Sequence, residues 1–174
     1  ELFTTHSGRL TANTKLSTEG RESYPDLSVD RFMDLYPLLP YQVELMIQVI
    51  SGLRSEGAFS EHVGGANRTV IKLAQQLLIH DKVGLATQPV GTLAKIDQIY
   101  DLIKGNIRSE IRGKIDSIEQ EVEHPYAQPV SKAICLLKYA PNIHCTAENI
   151  AGTLQGTVDG DSALADVQQA LKEL

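Results

Sequence analysis

The sequence predicts an all-α fold. Apolar residues recur every three or four positions over most of the chain, Ser, Thr and Pro stand where helices should begin, and Gly and Pro stand where they should end. Of the 174 residues, 42% are hydrophobic and 22% charged, which is enough apolar material for one ordinary domain or two small ones.

Residues 1–27 are rich in Thr, Ser and Gly and show no sustained period, so they are expected to be a broken connection to a missing upstream domain, and the sequence leaves their order open. The first helix starts at the N-cap Ser28, with Asp30 in its first turn and Leu27 stapled to Phe32. It ends at Tyr36, because Pro37 disfavours α geometry at the residue before it. Pro40 suits the first turn of a second helix, with Val43, Ile47, Ile50 and Leu53 as its apolar face and Gly57 as its terminator. A third follows Gly64-Gly65 and buries Val70, Leu73, Ala74 and Leu77 before fading at His80-Asp81; residues 84–91 read as a loop.

From Thr92 to Glu123 the isoleucines recur with a mean step of about 3.7 between Ile96 and Val122, as on a straight helix. Gly105 and Gly113 each cost about 1 kcal/mol relative to Ala in a helix interior, which makes Gly105 a candidate point of division. Three short helices are expected after that. The first, over 129–139, buries Val130, Ala133, Ile134 and Leu137 and is stopped by Pro141; the second is capped by Thr146 and buries Ala147, Ile150 and Leu154. The third starts at Asp161 and buries Leu164, Val167, Leu171 and Leu174, after a connection over 155–160.

No stretch approaches the roughly 18–20 apolar residues that cross a bilayer, and the N-terminus lacks the pattern of a signal peptide, so no membrane partner is expected. The chain opens without Met and closes at Lys172-Glu173-Leu174 inside an apparent helix, which suggests a piece of a longer protein. Cys135 and Cys145 are too few for a disulfide framework and fit a cytoplasmic location. A net charge of −6 argues against a strong unaided grip on DNA, although a local patch stays open.

No complete catalytic site is legible. The single Gly-Lys pair, Gly113-Lys114, is followed by Ile115 and lies in an amphipathic stretch, so it is not a phosphate-binding P-loop. His144-Cys145 has no second pair at ligand spacing, so no metal site is expected. Two basic features stand out. In Gly64-Gly65-Ala66-Asn67-Arg68 an Arg follows a flexible turn at the start of a helix, either an anion-contacting end or an ordinary surface Arg. Lys104, Arg108 and Arg112 stand at i, i+4 and i+8, with Lys114 nearby and Asp116, Glu119, Glu121 and Glu123 beyond. That row is either a solvated face or a contact for nucleic acid or an acidic partner.

Three stretches, in order and spacing, resemble the P-loop ATPase of BREX-type phage-resistance systems, a relative of the AAA+ ATPases. They are Tyr36-Pro37-Leu38-Leu39-Pro40-Tyr41-Gln42, then Gly64-Gly65-Ala66-Asn67-Arg68-Thr69 leading into Lys72-Leu73-Ala74, and then Val130 to Leu137 followed by Thr146-Ala147-Glu148-Asn149-Ile150. The resemblance implies an AAA+-like helical lid over 28–90, a long helical connector over 91–126 and a winged-helix or helix-turn-helix unit over 127–174 that lacks its wing. It also implies that Arg68, supported by Gly64, Gly65 and Asn67, occupies the sensor-2 position facing the terminal phosphate of ATP. ATP and magnesium would then belong to the full-length ATPase, and the piece alone would not be an enzyme. Partners would be the missing ATPase core and other defence proteins. The third helix of the winged-helix-like unit carries Asp161, Asp166 and Glu173 against Lys172, a poor match to phosphates, so packing or protein contacts are expected of it rather than base reading. A DNA-binding module using Lys104, Arg108 and Arg112 and an interaction scaffold are the alternatives.

Overall fold

A computed structural model describes residues 1–19, 26–58 and 66–174, with the side chain of residue 66 excluded. The described residues form nine α-helices and two single 3₁₀ turns, with no strand; two isolated bridges, Thr18 with Ile143 and Thr92 with Thr157, are their only β-type pairs. The all-α expectation holds. Among the described residues, no helix is long and apolar enough to cross a membrane.

The first departure from expectation is α1, Leu2–Thr14, a regular helix in a segment read as a broken connection with no sustained period. Its Thr- and Ser-rich sequence has little intrinsic helix preference, but packing overrides propensity. Phe3 and Leu10 are buried, and the Phe3 ring stacks on Phe32 of α2 at 4.5 Å between centroids. The helix also lies close against Gly152, where an added Cβ would stand 3.1 Å from the Asn13 carbonyl oxygen and from Leu16 Cδ2. Arg9 Nη1 and Asn13 Nδ2 donate to the carbonyls of Asp159 and Gly160, at 3.0 and 3.3 Å.

Helix α2, Val29–Leu35, begins at the expected cap, where the Ser28 hydroxyl accepts from Arg31 N. Helix α3, Pro40–Ser55, starts at Pro40 as expected, but its buried face is Leu45, Met46, Val49, Ile50 and Leu53, with Val43 and Ile47 half-buried beside it. Gly57, at φ 74°, supplies the left-handed residue that ends it. Helix α4, Ala66–Ile79, buries Val70, Leu73 and Leu77 on the expected stripe.

The connector over 91–126 is not one long helix. Helix α5 covers Ile96–Ile103, a 3₁₀ turn follows at Lys104–Asn106, and α6 covers Ser109–Glu121 after an extended Arg108 at φ −52° and ψ 136°. Gly105 lies within the break, as its helix cost suggested. The isoleucine rhythm survives because Ile103 and Ile107 both reach the core from either side of the turn.

Helix α7, Ala127–Leu137, is rotated from its expected setting: Lys132 is buried and Ile134 exposed. The rotation is tolerated because Lys132 Nζ pairs with Asp101 of α5 at 2.8 Å and lies 5.8 Å from the centroid of the Tyr100 ring. Helix α8, Ala147–Thr153, is capped by Thr146 as expected. Helix α9, Leu164–Glu173, starts three residues after Asp161. It buries Val167 and Ala170, leaving Leu171 and Leu174 exposed. Residues before it are held instead by Gln155, whose Nε2 donates to the carbonyls of Thr157 and Gly160.

Packing follows the chain from α1 on α2 and α8, through α3 on α4 and α4 on α5, to α7 against α5, α6, α8 and α9. Among the described residues, buried apolar side chains from Phe3 to Ala170 belong to one hydrophobic cluster.

Candidate functional site

Arg68 lies in the first turn of α4, and both it and Asn67 are exposed. Gly64 and Gly65, expected to support it, lie outside the described residues. Among the described residues Arg68 enters no ion pair, although the chain carries 22 acidic residues. No Asp or Glu occurs anywhere on α4, so the positive end of its dipole lacks the acidic side chain that usually sits there. The turn is firmly rooted: Val70, Leu73 and Leu77 enter the core below it, and Arg54 Nη2 of α3 donates to Thr69 Oγ1 at 2.9 Å. The first turn of α4 therefore carries an exposed guanidinium on a well-packed helix with no acidic side chain of its own, a setting that suits an incoming anion.

The expected basic row does not form one face. Lys104 lies in the 3₁₀ turn, Arg108 in extended backbone, and Arg112 and Lys114 in α6. Arg108 is drawn to Glu56, with Nε 4.0 Å from Oε2. The reason is the break at 104–108, which destroys the angular register that i, i+4, i+8 spacing requires.

Glu56 is the centre of a cluster that the sequence did not reveal. The Tyr139 hydroxyl donates to its Oε2 at 2.9 Å and Lys138 Nζ lies 3.2 Å from its Oε1. The Tyr139 hydrogen bond, followed by the Lys138 ammonium, holds the Glu56 carboxyl below its ordinary pKa. Desolvation, followed by the hydrogen bond to Glu56, pushes the Tyr139 phenol up to about 12. The Tyr139 ring occupies the space above Gly52, where an added Cβ would stand 2.6 Å from its Cδ1. One residue after Gly57, the Ala58 carbonyl accepts from Asn106 Nδ2 at 2.9 Å. The end of α3 is thus fastened both to the α5–α6 break and to the end of α7.

The stretch Tyr36 to Gln42 turns out to be structural. Buried Gln42 accepts from Leu39 N at 2.7 Å and donates to the Ala94 carbonyl at 2.6 Å, while Ala94 N donates to the Pro37 carbonyl at 3.0 Å. The Tyr36 hydroxyl accepts from Gly91 N at 2.8 Å, and the Tyr41 hydroxyl donates to the Gly152 carbonyl at 3.1 Å. Burial raises the Tyr41 phenol far above its ordinary pKa. Asn149, from the third family-like stretch, is equally structural: its side chain accepts from Ser17 N and donates to the carbonyls of Ser17 and His144. No family model matches the chain, and no solved structure matches it.

Proposed function

We propose that the segment 28–90 is the lid of a P-loop ATPase of the phage-defence type, and that Arg68 reports whether the terminal phosphate of bound ATP is present. ATP, magnesium and the residues that perform hydrolysis belong in this reading to an ATPase core supplied by further polypeptide. The observation that carries it is the exposed Arg68 guanidinium, free of any internal carboxylate among the described residues, on the first turn of a helix that has none. A planar cation held at the end of a rigid helix gains a bidentate partner when a phosphate arrives and loses it after hydrolysis. The α7–α9 unit serves as a winged-helix-like relay to partner proteins. Its outward α9 surface, with Asp166 and Glu173 against Lys172, favours protein over nucleic acid. The fastening of α3 to α7 through Glu56 and Tyr139 supports such a relay, because the lid and this unit share side-chain contacts.

In the full-length protein, Arg68→Ala should lower ATP turnover by about tenfold or more, as expected when a charge that contacts the transferred phosphate is removed. Arg68→Lys, which keeps the charge but not the fork, should recover part of it. Wild-type turnover by Arg68→Ala would rule out the sensing role.

A further inference from the structure

We infer that the outward face of α4 below Arg68, formed by Ile71, Lys72, Gln75 and Ile79, docks an acidic amphipathic helix of a partner protein. Ile71 and Ile79 are 70% and 65% exposed, on a helix whose apolar residues Val70, Leu73 and Leu77 are buried and whose Ala74 and Leu78 are partly buried. They stand eight residues apart, about 12 Å along the axis at 1.5 Å per residue, with Gln75 midway on the same i, i+4 row. Lys72 lies beside that row, is exposed, and makes no ion pair among the described residues.

The charge of this face is opposite to that of the molecule. Helix α4 carries Arg68 and Lys72 and no carboxylate, in a chain of net charge −6. A partner attracted to it must be locally acidic, and it must also cover two isoleucines. A nucleic-acid backbone would satisfy the cations and leave the isoleucines against a polar surface. A helix with Leu or Ile at i and i+4, flanked by Glu, satisfies both. The face lies beyond the phosphate-facing end, and the inference does not depend on Arg68 sensing a nucleotide.

The test is a fluorescence-anisotropy titration of the 174-residue chain with two designed helical peptides that share one leucine face and carry either Glu or Lys around it. Saturable binding of the Glu peptide is expected. It should be weakened by about tenfold or more in the double variant Ile71→Ser, Ile79→Ser, because central apolar anchors dominate such interfaces. In Lys72→Glu the preference should turn toward the Lys peptide. All three positions are exposed, so unchanged unfolding midpoints are expected to accompany these losses. Absence of saturable binding by the Glu peptide, or affinity unchanged in the double serine variant, overturns the inference. So does binding of duplex DNA that is lost in Lys72→Glu but indifferent to the serine pair, which would mark a phosphate-binding face.

Discussion

The start of α3 and the outer face of α4 are put together in opposite ways. In the first, Tyr36, Pro37, Tyr41 and Gln42 direct their polar atoms inward, to Gly91, Ala94 and Gly152, and the motif is consumed by the fold. In the second, α4 presents Arg68, Ile71, Lys72 and Ile79 outward, while the core holds only its opposite stripe. Conspicuous residue patterns thus divide into those whose hydrogen bonds are satisfied internally and those left available. Only the second kind is available for a partner or ligand.

The sharpest way to break the first region is Gln42→Leu. It keeps the volume but strands the Leu39 amide and the Ala94 carbonyl in the interior, and should cost about 2–4 kcal/mol in urea unfolding. A loss below about 0.5 kcal/mol would mean that water replaces both bonds.

The Glu56 cluster at the end of α3, between these two regions in sequence, should respond to acid. Its carboxyl has a lowered pKa in the folded chain, so the stability it contributes is present above the ordinary carboxylate range and is lost as pH falls through the folded value. The stability of wild type should therefore fall more steeply on acidification than that of Glu56→Gln, measured as unfolding midpoint against pH. Parallel curves would remove the cluster from the account. The smallest effect belongs to the exposed region: Arg68→Ala should change stability by less than about 0.5 kcal/mol, as for surface positions with no internal partner.

The caps at Ser28 and Thr146 and the start at Pro40 were readable because their chemistry is local, within three residues of the cap. The stripe Val70, Leu73 and Leu77 was readable because its period was uninterrupted. Helix α1 was not, since what orders it is Phe32 and Gly152, which are distant in sequence. The break at 104–108 was only half legible: Gly105 marked it, but the isoleucine rhythm ran through it and kept the basic row looking continuous. Arg108 is diverted by Glu56, a partner 52 positions away that no spacing rule could supply. Of the four residues proposed to sense nucleotide, Arg68 and Asn67 lie on the surface, whereas Gly64 and Gly65 lie outside the described residues.

Phosphate sensing by Arg68 is proposed for a protein in which this chain is joined to an ATPase core, and its most direct measurement is the ratio of ATP to ADP affinity in that protein, with and without Arg68→Ala. If the guanidinium contacts the terminal phosphate, wild type should favour ATP and the variant should lose that preference while binding ADP as before. An affinity ratio that is the same in both proteins would contradict the account.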